Sequence, residues 1–135
     1  MILKSNTPVE FTSSPGSAKF AKSEDLDVLH SKWNRIQRKA TTDILYIGKG
    51  DSIRSRVSQL ARFGAGRAKN HAGGEWLWQV HNIGNAKVLM QSCPNGKQVG
   101  FENWLLEKFH REHGEYPLAN RKGPDGDERW RPSAN

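Results

Sequence analysis

The sequence predicts one small α/β domain of the α+β kind, with amphipathic helices packed on a short sheet that is antiparallel at least in part. Three observations predict it. Three stretches carry apolar residues at helical spacing, and a run of β-branched and aromatic residues at 44–47 reads as a buried strand. A chain of 135 residues also provides for one core rather than two. Mean hydropathy is low, at −0.79, but apolar content of 35% and five tryptophans argue for a folded chain.

The elements follow in order. Thr12 to Ser17 contains Pro15-Gly16 and reads as a turn. Residues 24–39 form a helix, because Leu26, Leu29, Trp33 and Ile36 recur on one face. Ile44-Leu45-Tyr46-Ile47 is the strand, ended by Gly48. Asp51 or Ser52 caps the next helix and Gly64 ends it. Its apolar face is Ile53, Val57, Leu60 and Ala61, with Arg54 and Arg56 at the margins and Arg62 pointing outward. Residues 64–74 are loop-like. Trp76, Trp78 and Val80 alternate with Leu77 and Gln79, so a hairpin with Lys87–Met90 is expected across Asn82–Asn85, although Trp76–Val80 also fits a helix end. A third helix runs from about Gly100 to His113, stopped by Gly114. The domain is expected to span 1–122, with 123–135 a mobile tail.

The net charge of +7 is informative once located. Residues 1–30 carry three Lys against four Asp and Glu; residues 31–70 carry ten Lys and Arg against two Asp; residues 71–135 carry eight of each. The excess therefore lies in one stretch, which suits either a polyanion partner or a solvated basic surface. A strand and loops interrupt it, which disfavours a membrane surface. No apolar run is long enough to span a bilayer, and Met1-Ile2-Leu3-Lys4 opens no secretory signal. Cys93 stands alone, so neither a disulfide nor a thiolate metal site is expected, and a cytoplasmic location is the default.

One carboxylate is misplaced. On the third helix Phe101, Leu105, Phe109 and Leu106 form an apolar arc, and Glu102 falls inside it. Glu107 lies outside the arc, where it can pair with Arg111. An ionised carboxylate buried without a partner costs several kcal/mol, so Glu102 needs a cation, a hydrogen-bond network or a raised pKa. Metal binding or catalysis is one solution; a buried ion pair, with Arg56 for instance, is the other. His113 shares the stripe, but a histidine there also caps a helix C-terminus, and no cysteine or acidic cluster accompanies His110 and His113 at zinc-site spacing.

Tyr46-Ile47-Gly48-Lys49 followed by Ser52-Ile53-Arg54-Ser55-Arg56-Val57 resembles the second half of the GIY-YIG nuclease signature, in which an arginine stands seven residues beyond the post-glycine lysine. Phe101-Glu102-Asn103-Trp104-Leu105-Leu106 and Pro117-Leu118-Ala119-Asn120 resemble that family's metal-binding helix and the segment ending in its structural asparagine. The likeness covers roughly residues 15–120. It departs from the pattern in three places. The opening Gly-Ile-Tyr has no literal counterpart, and the nearest segment, Pro15 to Phe20, puts Ala18 where a tyrosine is usual. The helix at 24–39 would be inserted between two neighbouring strands. Leu60 stands where a Tyr or His is common, a role His71 could fill.

The resemblance implies a three-stranded, largely antiparallel sheet flanked by helices, and an endonuclease hydrolysing phosphodiester bonds in DNA with one divalent metal, Mg²⁺ or Mn²⁺ in its place. Glu102 would hold the metal. Arg56 would grip the scissile phosphate, and Tyr46, with Lys49 beside it, would position or deprotonate the attacking water. Gly48 and Asn120 would give structural support, while Arg54, Arg62, Arg67 and Lys69 would hold the nucleic-acid backbone. DNA is favoured over RNA, and a homodimer or partner protein would supply targeting. Ala18 and Leu60 leave a second reading open, a nucleic-acid-binding module on the same fold without the chemistry. A third is an interaction domain for an acidic protein.

Overall fold

The computed structural model describes residues 1–12, 24–50, 52, 54, 55, 57, 58 and 76–132. Within them the chain runs β1 (Ile2–Lys4), α1 (Leu26–Lys39), β2 (Ile44–Ile47), a 3₁₀ turn (Ile83–Asn85), β3 (Lys87–Leu89) and α2 (Gln98–His113). The strands form one antiparallel sheet in the order β2-β1-β3. The chain is thus a small α+β fold with two helices among the described residues.

Local chemistry sets both helices. Asp25 caps α1, its carboxylate accepting from the Asp27 N–H at 2.7 Å, and Arg38 and Lys39 sit at the negative end of the helix dipole. Gln37 then holds the exit: its amide exchanges two hydrogen bonds with the backbone of Thr42, at 2.8 and 2.9 Å, and turns the chain into β2. Gly114 closes α2 in the left-handed region at φ 73°, its N–H donating to the His110 carbonyl. α1 packs on α2 and α2 packs on β2. Leu29 and Ile36 of α1, Leu45 and Ile47 of β2, and Leu106 and Phe109 of α2 fill the core with Leu118 and Ala119. Each of the Leu, Ile and Phe side chains contributes about 1.5–3 kcal/mol on burial.

The central strand is the one the sequence did not announce. β1 is three residues long, yet it pairs on both edges, with Leu3 opposite Tyr46 on one side and Val88 on the other. Reciprocal bonds between the Met1 and Gly48 backbones, both 2.9 Å, extend its ladder with β2. Pairing with two distant segments makes it a strand, and no local periodicity carries that information.

The expected hairpin of Trp76–Val80 with Lys87–Met90 does not form. Trp76 and Leu77 are helical, Trp78 and Gln79 turn, and Val80 bridges Phe11, while β3 pairs with β1. The helix-end alternative describes this segment. The burial is also reversed, since Leu77, Gln79 and Val80 are buried while Trp76 and Trp78 are half-buried. Gln79 explains the reversal. Its amide donates to the carbonyls of Thr12 and Glu24, at 3.2 and 2.9 Å, and accepts from the Glu24 N–H at 2.8 Å. A buried amide with all of these partners is satisfied.

Of the stretch expected as a tail, residues 125–130 lie against α2. The fully buried Asn103 amide donates to the carbonyls of Asp125 and Glu128, at 2.7 and 3.2 Å, and accepts from the Asp125 N–H at 3.0 Å. Trp130 donates its backbone N–H to Gly100 and sets its ring edge-on to Phe101, with centroids 5.8 Å apart. Arg129 meets Glu107 at 2.7 Å, beside the expected Glu107–Arg111 pair at 3.3 Å, and its hydrogen bond holds the Glu107 carboxyl below the usual carboxylate range.

A buried lysine joins α1 to the rest. The Lys32 ammonium donates to the carbonyls of Pro117, Leu118 and Asn120, at 3.1, 3.1 and 3.2 Å, so each of its three hydrogens has an acceptor. Burial pushes its pKa from 10.5 down to about 8, with Glu115 opposing and Arg35 assisting. Between those values the unfolded chain binds the proton and the folded chain does not, so the Lys32 contribution to stability rises with pH across the window. Compared by urea unfolding, the wild type should gain about 2 kcal/mol over Lys32→Met between pH 8 and 10. A difference that stays flat with pH would remove this account.

Candidate functional site

β2 delivers the site. Immediately after it, Gly48, Lys49 and Gly50 enter a cleft of about 450 Å³, which Met1 also borders. The facing wall comes from the first turns of α2, where Gln98, Phe101, Glu102 and Leu105 line the cleft at i, i+3, i+4 and i+7, a single helical stripe. The core-facing stripe of α2 is a different one, Asn103, Leu106, Phe109 and His113. This corrects the expected apolar arc: Phe101 and Leu105 are half-buried at the cleft, and Glu102 is partly exposed there rather than sealed in the core.

The Glu102 side chain is 14% exposed and its Oε1 accepts from the Lys49 ammonium at 3.2 Å. The cation that the misplaced carboxylate requires is therefore Lys49 among the described residues. Lys49 also lies 3.8 Å from Asp125, carried there by the segment that Asn103 anchors. Tyr46 is buried against the same corner. A Cβ built on Gly48 would stand 2.7 Å from the Tyr46 Cε1 and 2.9 Å from its hydroxyl, so the phenol ring lies directly over Gly48.

Asn120 sits on the outer edge of β2. Its amide donates to the Ile47 carbonyl at 2.8 Å and accepts from the Ile47 N–H at 2.9 Å, while the Ala119 N–H donates to Leu45. One side chain and one backbone group thus occupy the strand edge that faces away from β1.

The structure brings Gly48, Lys49 and Glu102 together at the cleft; Tyr46 is packed on Gly48 and does not line the cleft, and Asn120 braces their strand from behind. Arg54 is exposed and helical, and Val57, expected to face inward, is 36% exposed. Arg56, Arg62, Arg67, Lys69 and His71 lie outside the described residues, as does Ala18. His113 is buried with Nδ1 3.1 Å from the Ile36 carbonyl, and His110 rests on Tyr116, so both serve helix packing away from the cleft. Sequence reading missed Asp125 and the residues on the approach to α2, Gln91 to Gln98. The stripe from Gln98 to Leu105 was readable by helical spacing; Asp125 carried no local signal.

A hard divalent ion takes one or two carboxylates and completes its shell with water and phosphate oxygens; the carboxylate that lines this cleft is Glu102, with its Oε1 on the Lys49 ammonium. Among the described residues no group of three or more His, Cys, Asp or Glu is placed to hold a metal, so a protein-only cage is not the arrangement present. Cys93 also borders the cleft, and burial raises its thiol pKa.

Gly48→Ala should destabilise the fold by about 1–3 kcal/mol in urea unfolding, because the added methyl must displace the Tyr46 ring from a packed corner. A cost below about 0.5 kcal/mol would show that the ring yields freely and is not held there.

No protein-family model matches the chain, and comparison with curated proteins and with solved structures likewise returns no match.

Proposed function

We propose that the chain is a metal-dependent endonuclease acting on DNA, of the GIY-YIG type. The observation that carries this reading is the Lys49–Glu102 pair on the wall of a cleft that begins where the Tyr46-Ile47-Gly48 strand ends. The carboxylate matched by motif and the carboxylate misplaced on its helix are the same residue, and it opens on that cleft. The concentration of Lys and Arg between 31 and 70 supports a polyanionic substrate.

Each side chain then has a task. Glu102 would hold Mg²⁺ or Mn²⁺, and the bound ion supplies charge stabilisation for the departing 3′ oxygen. Lys49 would offer its ammonium to a phosphate oxygen. Tyr46 would position or deprotonate the attacking water. Arg56 presents two N–H groups to the scissile phosphate. Gly48 leaves the space that the Tyr46 ring fills, and Asn120 keeps their strand in place. Arg54, Arg62, Arg67 and Lys69 hold the flanking backbone without choosing a sequence. A second copy or a partner protein would direct the enzyme.

One observation favours a second reading, a binding module without hydrolysis. The described strand beside β2 is β1, and its residue opposite Tyr46 is Leu3. If the first half of the signature falls on that neighbouring strand, it brings no tyrosine.

Supercoiled plasmid incubated with Mg²⁺ or Mn²⁺ distinguishes the two. The first reading expects nicking or linearisation by the wild type and at least a hundredfold loss in Glu102→Gln, about 3 kcal/mol in transition-state terms. Cleavage that survives in Glu102→Gln counts against the assigned role. Salt-sensitive binding with no cleavage under either metal establishes the binding module instead.

A further inference from the structure

The cleft has a second chemical character that phosphate handling does not use. Besides Lys49 and Glu102, its lining includes the neutral polar residues Gln91, Ser92, Asn95 and Gln98, together with Phe101. Amides both donate and accept, so they suit base edges, which carry donors and acceptors side by side; a phosphate offers acceptors alone and is met better by cations. Phe101 is a braced ring: Trp104 stacks on it with centroids 6.2 Å apart and planes 18° from parallel, and Trp130 meets it edge-on. A ring already fixed loses little freedom when a second flat group is laid on it.

We infer that the cleft is a nucleobase-recognition pocket, in which Asn95 and Gln98 read the edge of an unpaired base, Phe101 contacts its face and Lys49 takes the adjoining phosphate. This deepens the proposed function and rests on it. A volume of about 450 Å³ lies within the range of small-ligand pockets and accommodates one base. A base stacked within a duplex cannot enter such a cleft, so the ligand class is a single strand, a bulge or an extruded nucleotide. Specificity therefore resides in the residues leading into α2, where Asn95 precedes the helix and Gln98 opens it.

The test is fluorescence anisotropy at ~50 mM salt, where phosphate contacts are least screened, with labelled single-stranded oligo-dA, oligo-dC, oligo-dT and a mixed duplex. The wild type is expected to bind one homopolymer at least fivefold more tightly than another and to prefer single strands to duplex. The double variant Asn95→Ala, Gln98→Ala should reduce the difference between homopolymers to within twofold. Phe101→Leu should weaken every single strand by about tenfold, and Lys49→Ala should weaken all of them alike. Thermal melting confirms that each variant is folded, and single substitutions at Asn95 and Gln98 replace the double variant if it is not. Preferences unchanged by the amide substitutions, or a wild type indifferent to base and strandedness, would overturn the pocket while leaving nucleic-acid binding intact. Failure of the wild type to bind any of these probes would overturn both the pocket and the function it rests on.

Discussion

The ammonium of Lys32 is the constraint from which the site's geometry follows. It lies in the interior with its three hydrogens on three carbonyls of the 117–120 turn, and that turn presents Asn120 to Ile47. A buried charge is tolerable only where its partners are supplied, and here they are three carbonyls of one short turn. The turn then serves as a short edge for β2, and β2 ends at Gly48 and Lys49. A helix-borne cation, a turn and a strand thus form one connected chain of hydrogen bonds from α1 to the cleft. The lowered Lys32 pKa is the cost of this arrangement.

Helix and strand periodicity made α1, β2 and α2 legible, since each has a stripe or run whose burial is local to its own residues. β1 was illegible because three residues hold no period, and its role comes from being paired on both sides. Trp76 to Val80 misled for a related reason. Alternating aromatic residues imitate a half-buried strand, yet Gln79 is the buried member, satisfied by the backbones of Thr12 and Glu24, more than fifty positions away in sequence. Glu102 was conspicuous because a carboxylate among Phe101, Leu105 and Leu106 breaks the pattern of its own helix. What the pattern could not distinguish was a core stripe from a cleft stripe. The two lie side by side on α2, and both are apolar enough to be counted together. The likeness to a nuclease family sharpened Glu102 but placed no partner beside it; Lys49 reaches it through β2, and Asp125 reaches Lys49 through the segment held by Asn103.

The Lys49–Glu102 pair also clarifies why so polar a corner folds at all. Both groups keep some access to water, with side-chain exposures of 31% and 14%, so neither bears the desolvation of a deep interior. The pair satisfies Glu102 without sealing it. A carboxylate locked to a bidentate arginine in the core would be stable and inert, whereas one held by a single flexible ammonium can exchange partners when a ligand arrives. Phe101 and Leu105, on either side of it along the stripe, limit the approach of water without closing the cleft.

Charge is distributed unevenly along the chain. Within the cleft Lys49 and Glu102 offset one another, and the positive excess of the chain belongs to residues 31–70, where Lys49 is one of ten cations. Long-range attraction of a polyanion follows the summed field and decays over the screening length of the salt, about 10 Å at 0.1 M. Contacts inside a partly closed cleft are screened less and depend on individual geometry. On the proposed reading the cations of residues 31–70 draw in the strand and the cleft distinguishes what is delivered. Neutralising Glu102 should therefore alter hydrolysis far more than affinity, while neutralising Arg54, Arg62, Arg67 or Lys69 should do the reverse. Net charge could point to the kind of partner but not to the site, because the site is where the charges cancel.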